Sequence, residues 1–268
     1  MIKLVFTDID DTLLDTSKKI SEDNRRAIKE MHDRGVKFGI ASGRTSYNLQ
    51  RVYPTWNLGD TCDYLLGSNG AEIYDFESNE TRLIYKFSKK EVIDIYNYIN
   101  QEFDDVSICV YEDDYLCTNL VTDIYLERIA QTGLKEKVIN FETDLKDYYP
   151  KVIVVAVREK ADEILNYALN NKTDYFRTFK SQAHILEFTL IESSKSKGIE
   201  EVMNELNLQR DEIMTLGDND NDYEMIRDFF GVAMDNASSL CKSEANAITS
   251  SCNDSGVARA IEKFVLKQ

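Results

Sequence analysis

Asp8 and Asp10 close a short apolar run near the start of the chain, Ile2-Lys3-Leu4-Val5-Phe6-Thr7-Asp8-Ile9-Asp10-Asp11-Thr12-Leu13. Ile2 to Phe6 has the composition of a strand buried on both faces. Side chains alternate along a strand, so the two carboxylates fall on one side, roughly 6–7 Å apart. In open α/β sheets ligands bind beyond the carboxyl ends of the strands, which is where this pair stands. Two carboxylates so placed can hold a divalent cation or divide nucleophilic and acid/base work. A solvated strand-to-loop turn is the other reading of the same residues.

Three further fragments supply complementary chemistry. Ser42-Gly43-Arg44 follows Val36 to Ala41, a second apolar run. A hydroxyl and free backbone N–H groups at a helix start can grip a phosphate, although a plain N-cap has the same appearance. Lys197-Gly198 opens a later helix; a lone lysine is usually a surface charge. Gly217-Asp218-Asn219-Asp220-Asn221-Asp222 follows Ile213-Met214-Thr215-Leu216 and again sets carboxylates at a strand end. The run lacks the spacing and closing Glu of an EF-hand. Acids at a helix start also favour the macrodipole, so this fragment too has a purely structural reading.

The elements that must position these residues alternate from the first residue. Ser21 caps a helix carrying Ala27, Ile28 and Met31 on one face and ending at Gly35. Tyr64 to Leu66 forms a third short strand, and Ser68-Asn69-Gly70-Ala71 turns it into a hairpin with Glu72-Ile73-Tyr74. This pattern predicts a parallel sheet covered by helices. From residue 83 to 188 the pattern changes to helix 88–101, strands 107–111 and 115–118, helix 123–132, strand 151–157, helix 160–171 and strands 174–180 and 183–188. Hairpin-linked strands mixed with helices mark a separate α+β unit inserted into the first. After Lys197 the βα pattern resumes, with strands at 213–216, 232–234 and 247–249 and a helix over 257–265.

Composition bounds the function. The 268 residues carry a net charge of −16, with 43 % hydrophobic and 30 % charged residues. A nucleic-acid backbone or an anionic membrane is a poor partner for such a chain. An anionic substrate needs a local positive centre, either a metal or particular Lys and Arg residues. The N-terminal apolar run is too short for a signal peptide, no stretch has the length of a membrane span, and a cytoplasmic location is expected. Cys62, Cys109, Cys117, Cys241 and Cys252 are scattered without a Cys-x-x-Cys pair and read as reduced structural thiols. Cys252 and Arg259 are one residue too far apart for the Cys-x5-Arg loop of a thiol phosphatase. His32 and His184 are too few for a zinc site without cysteine.

Asp8-x-Asp10-x-Thr12-Leu13, Ser42-Gly43-Arg44, Lys197-Gly198 and Gly217-Asp218-x-x-Asn221-Asp222 stand in the order and context of the haloacid dehalogenase superfamily, and the chain resembles its Cof-type hydrolases over nearly its whole length. Ser68-Asn69-Gly70-Ala71 and Gly231-Val232-Ala233-Met234 with Asn236-Ala237 add to the likeness. The resemblance implies a Rossmann-like, three-layer α/β core with a central parallel sheet (1–82 and 189–268) and an inserted α+β cap (83–188). It implies a Mg²⁺-dependent phosphatase of small phosphorylated metabolites. Asp8 is then the nucleophile that becomes aspartyl-phosphate, and Asp10 protonates the leaving oxygen and activates the hydrolytic water. Asp8, the backbone carbonyl of Asp10 and Asp218 hold the metal, with Asn221 and Asp222 in or near the surrounding layer. Ser42, Gly43 and Lys197 bind phosphate, and Asn69, Arg44 and His184 are candidate substrate contacts. A bound phosphate and a closed cap are expected to raise the pKa of Asp10.

Three departures from the family pattern are visible. Asp11 replaces the commoner glycine, Asp235 follows Val-Ala-Met where glycine is usual, and Glu192-Ser193-Ser194-Lys195-Ser196-Lys197 lacks the usual Pro and Gly. Lys195 is therefore the alternative to Lys197, the latter being preferred for the Gly198 that follows it. A phosphomutase on the same core and a non-catalytic phospho-accepting switch are the competing functional readings.

Overall fold

The computed structural model describes residues 1–267. In chain order, β1 (Leu4–Thr7), α1 (Glu22–Asp33), β2 (Lys37–Ala41), α2 (Ser46–Val52), β3 (Tyr64–Gly67), β4 (Glu72–Asp75) and β5 (Glu80–Leu83) open the fold. Next come β6 (Phe87–Ser88), α3 (Lys89–Asn100), β7 (Ser107–Glu112), β8 (Tyr115–Thr118), α4 (Asp123–Thr132), β9 (Lys135–Val138), β10 (Tyr148–Tyr149), β11 (Val152–Val155), α5 (Arg158–Asn170), β12 (Phe176–Gln182) and β13 (Ile185–Leu190). The chain closes with α6 (Lys195–Glu205), β14 (Ile213–Gly217), α7 (Tyr223–Asp228), β15 (Phe230–Ala233), α8 (Ser239–Glu244), β16 (Ala247–Ile248) and α9 (Gly256–Ile261).

Two compact units result, Met1–Ile84 with Ser193–Gln268, and Tyr85–Glu192. The sequence boundaries at 82/83 and 188/189 fall two and four residues before these limits. β5 pairs with β4 of the first unit, and β13 runs on to Leu190, so the chain leaves and returns a few residues later than the composition shift suggests.

The first unit is built on one eight-stranded sheet in the order β16-β15-β14-β1-β2-β3-β4-β5. The six strands from β16 to β3 run parallel, while β4 and β5 add an antiparallel edge. β1 lies in the middle because Leu4, Val5 and Phe6 are fully buried and feed both faces. Val5 packs with Ala27, Ile28 and Met31 of α1 and with Val257 and Ile261 of α9. Leu4 and Phe6 face the opposite layer, with Ile199 and Val202 of α6 and Met225 of α7. The α1 start follows its capping signal, Ser21 accepting from the Asn24 N–H. The register sets the ends level: Thr7 lies opposite Leu216 on one side and Ile40 on the other. Residues 8–10, 42–44 and 217–222 therefore leave the same edge of the sheet together.

The second unit carries a six-stranded sheet in the order β12-β13-β11-β7-β8-β9. All its pairings are antiparallel except that of β8 with β9. Helices α3 and α5 cover one face through Val92, Ile95, Ala161 and Ile164. Tyr125 of α4 packs on the other with Cys109, Ile153 and Val155. Tyr125 and Tyr149 are buried, while Tyr115 and Tyr148 are exposed, so the tyrosine-rich stretches divide between packing and surface. Among the described residues no helix is long and apolar enough to cross a membrane.

One contact in the first unit sets the depth of α6. Gly70 adopts φ +87°, and a Cβ at Gly198 would stand 2.8 Å from Gly70 Cα and 3.0 Å from its carbonyl oxygen. The first turn of α6 thus lies directly on the 68–70 turn, closer than any side chain allows. Gly198→Ala should push α6 outward and destabilise the protein by about 1–3 kcal/mol. The check is a lowered thermal midpoint; an unchanged midpoint would contradict this packing.

Candidate active site

The aligned strand ends gather an acidic cluster around one buried lysine. Lys195 is 1 % exposed, and its ammonium donates to Asp8 Oδ1 and, at 2.5 Å, to Asp222 Oδ1. Carboxylate oxygens of Asp8, Asp218 and Asp222 all lie within 4.8 Å of one another. Asp8 extends β1, its N–H donating to Leu216 of β14. Asp222 is fully buried, and its Oδ2 accepts from the backbone N–H groups of Asp218 and Asn219, both at 3.0 Å. Gly217 makes this fold possible, since a Cβ there would stand 2.5 Å from the Asp222 Cβ. Asp218 is oriented from the other side of the site by Thr12 Oγ1, which donates to its Oδ1 at 2.6 Å.

Lys195, the alternative in the sequence reading, thus occupies the place assigned to Lys197. Lys197 points to solvent and pairs with Glu200 at 2.6 Å. The glycine that favoured Lys197 has a different task, the close approach to Gly70. Helical periodicity carried the missing signal: Lys195, Ile199 and Val202 share one buried stripe of α6. Lys197 and Glu200 lie off that stripe. Thr12 was quoted only as part of a motif, and its hold on Asp218 links residues 206 positions apart.

The remaining candidates form two groups. Ser42 is 3 % exposed; its Oγ accepts from the Arg44 N–H at 3.2 Å and its carbonyl from the Asn69 N–H at 2.9 Å. Helix α2 begins beyond Ser42, with Thr45 as its N-cap, so the Ser42 hydroxyl is not the cap. A Cβ on Gly43 would stand 3.4 Å from Asn69 Oδ1, and that oxygen accepts from Asn221 Nδ2 at 3.3 Å. Gly43, Asn69 and Asn221 therefore neighbour one another. Asp10 is turned to Arg44, whose Nη2 lies 3.1 and 2.9 Å from its two oxygens. Lys18 is also near, 3.4 Å from Asp10 and 3.3 Å from Asp11. His184 lies in the turn between β12 and β13 of the inserted unit, where its carbonyl accepts from Ala156. Asp11 takes φ +62°, the left-handed conformation for which glycine is usual and which Asp tolerates. Asp235 is exposed and 4.0 Å from Lys242, with no left-handed backbone, so it replaces glycine without strain.

Electrostatics separates the two aspartates of the first motif. Burial pushes Asp8 up to about 8, the Asp222 and Asp218 charges adding to it and Lys195 opposing. Burial likewise lifts Asp218 to about 6, helped by Asp222 and opposed by Thr12. For Asp10 burial acts upward too, but Arg44 and Lys18 outweigh it and hold the carboxyl below its ordinary value. A guanidinium already pairs with the Asp10 carboxylate, so the rise expected from bound phosphate and a closed cap has this depressed value to overcome. Burial alone would lower Lys195, yet Asp222 and Asp8 hold its pKa above the ordinary lysine value.

The donor set suits a small hard cation. Three carboxylates face one ammonium, and Asp222 already spends both oxygens on Lys195 and two backbone N–H groups. Asp8 and Asp218 each use only one oxygen, leaving Asp8 Oδ2 and Asp218 Oδ2 with no hydrogen-bond partner among the described residues. Oxygen donors with uncompensated negative charge are what hard divalent cations select. Asp222, read from the sequence as lying near the metal, is the anchor for Lys195 and for the 217–222 loop.

A model of the haloacid dehalogenase-like hydrolase family matches residues 5–261. The chain is 27 % identical to the 5-amino-6-(5-phospho-D-ribitylamino)uracil phosphatase YcsE of Bacillus subtilis, over 99 % of this chain and 96 % of that protein. A haloacid dehalogenase-like hydrolase from Bacteroides thetaiotaomicron superposes with a TM-score of 0.86 at 25 % identity, covering 98 % of this chain and 100 % of that one. A Thermotoga maritima protein gives 0.85 at 27 % identity, covering 98 % of both chains.

Two predictions follow from this geometry. Lys195→Met strands buried acids and should cost about 3–5 kcal/mol of stability, with phosphatase activity lost. Lys197→Met should change stability by less than about 1 kcal/mol and leave phosphate release near the parent level; the reverse order would restore Lys197 to the site. Asp8 and Asp218 bind protons more tightly in the metal-free folded protein than in the unfolded chain. Their stabilising contribution is present below the ordinary value of 3.8 and is lost as pH rises through about 6 and about 8. In chelator the thermal midpoint should fall from about pH 5 to about pH 8, and the gain on adding Mg²⁺ should grow over the same window. Asp8→Asn should flatten the decline; a midpoint in chelator that rises across this window would refute the charge balance drawn here.

Proposed function

The chain belongs to the haloacid dehalogenase-like hydrolase family and is a phosphatase, and we propose that it hydrolyses small phosphorylated metabolites with Mg²⁺ through an aspartyl-phosphate on Asp8. The observation that carries this reading is the Lys195 ammonium between Asp8 and Asp222, with Asp218 alongside. Asp8 and Asp218 would hold the metal, joined by the backbone carbonyl of Asp10. When bound, Mg²⁺ would supply the positive charge that offsets repulsion between the attacking carboxylate and the phosphoryl oxygens.

In this reading an Asp8 oxygen bonds to phosphorus as the bond to the leaving oxygen breaks, and Asp10 gives that oxygen its proton. Asp10 then takes a proton from water, which attacks the acyl-phosphate, releases inorganic phosphate and regenerates Asp8. Lys195 offsets the charge that grows on the phosphoryl oxygens and fixes the Asp8 rotamer. Ser42 and the backbone at Gly43 are assigned to the outer phosphoryl oxygens, and Asn69 and Asn221 to the wall beside them. The inserted unit is assigned the selection of the leaving group, with His184 among its residues to test. Five buried, unpaired cysteines support a cytoplasmic location.

The substrate class is set by phosphate release from a panel of sugar, nucleotide and phosphoribityl compounds with Mg²⁺. Asp8→Asn should abolish turnover on every member while circular dichroism stays unchanged. Chelator should silence the enzyme and Mg²⁺ restore it. Turnover by folded Asp8→Asn would eliminate the proposed nucleophile, and indifference to chelator would eliminate the metal.

A further inference from the structure

We propose that Arg44 is a positioning residue that holds the Asp10 carboxylate ready for proton transfer to the leaving oxygen, an inference that rests on Asp10 being the acid of the reaction. Asp10 stands just beyond β1, its side chain 41 % exposed. Its backbone makes only an isolated bridge to Leu14. A carboxylate on such a loop samples several rotamers, whereas a general acid must stay within hydrogen-bond reach of its target. Arg44 supplies the restraint through Nη2, which spans both carboxylate oxygens at 3.1 and 2.9 Å. A carboxylate has about four acceptor directions, so one nitrogen across both oxygens leaves outer lone pairs for a proton.

The guanidinium can serve as a fixed point because its own backbone is held twice. The Arg44 N–H donates to Ser42 Oγ at 3.2 Å. Its carbonyl accepts from the Ser68 N–H at 2.6 Å. Arg44 is thereby tied both to the end of β2 and to the turn after β3. Lys18 does not substitute for it: its contact is longer, 3.4 Å, and its side chain is 55 % exposed.

The test turns on the leaving group. p-Nitrophenolate departs as a stable anion and needs no proton, whereas a sugar alkoxide does. The parameter is kcat/KM, which reports steps up to departure of the alcohol and excludes the later hydrolysis. With Mg²⁺ present, Arg44→Met should lower kcat/KM on a hexose phosphate by roughly 10- to 100-fold. On p-nitrophenyl phosphate it should change it by less than about threefold. Arg44→Lys should show the same discrimination, smaller in size, and it decides the matter where Arg44→Met does not fold. Combining Arg44→Met with Asp10→Asn should add nothing to the loss of Asp10→Asn alone on the hexose phosphate. Equal losses on both substrates would mean that Arg44 grips the phosphoryl group itself, and unchanged hexose phosphate turnover would leave it with no role; either result overturns the inference. If Asp10→Asn itself fails to discriminate between the substrates, the assignment of Asp10 as the acid is what falls.

Discussion

The Lys195 ammonium between Asp8 and Asp222 is the interaction on which the site depends. A buried cation is tolerable only when paired and hydrogen-bonded, and two carboxylates this close are tolerable only with a cation between them. Each group therefore makes the others possible. The pairing reaches far along the chain: Lys195 is 187 positions from Asp8 and 27 from Asp222. It forms only if β1, β14 and the first turn of α6 converge. Parallel strands in matched register bring the first two together, and the contact of Gly70 with Gly198 lowers the third into place.

One lysine does not neutralise three acids, and the surplus gives the cluster its chemical character. Asp8 is driven toward its protonated form by burial and by the Asp222 and Asp218 charges, against Lys195. A divalent cation bound beside it would favour the charged form instead. Asp10 sits two residues away under the opposite influence, because Arg44 favours its charged form. Two carboxylates of one motif are thus pushed apart in proton affinity by different partners.

Much of this was legible in the chain itself. Apolar runs such as Val5-Phe6 and Met214-Thr215-Leu216 identify buried parallel strands because few other structures accept them. The insertion announces itself by a change of rhythm from βα units to hairpins. What escaped were segments whose pairing outweighs their composition. β5 reads Glu-Thr-Arg-Leu and β9 reads Lys-Glu-Lys-Val, polar edge strands that a hydrophobic pattern cannot reveal. The buried lysine is Lys195, the alternative, because the helical stripe shared with Ile199 and Val202 decides burial and adjacency to Gly198 does not. Thr12 stands in the first motif and Arg44 among the candidate substrate contacts, but no local spacing records that they hold Asp218 and Asp10.

The same geometry explains why so large an apolar scaffold surrounds so few clustered acids. Gathering Asp8, Asp218 and Asp222 within 4.8 Å of one another works against the metal-free fold, since each acid raises the energy of the next. The 217–222 loop is tied by the Asp218 and Asn219 N–H groups on Asp222 and by Ser238 N–H on the Asp218 carbonyl, and Asp11 takes a left-handed backbone, but hydrogen bonds do not remove the repulsion among the acids. The compensation has to come from burial elsewhere. The helices of the first unit pack on both faces of its sheet, and β1 contributes Leu4, Val5 and Phe6 to the two layers immediately before it delivers Asp8. Only Thr7 separates the apolar anchorage from the buried carboxylate in sequence, so the strand that stabilises the fold also fixes the acid that works against it. A loop carrying the same acids would relax by spreading them apart, whereas a central strand cannot, because moving Asp8 would uncover Phe6.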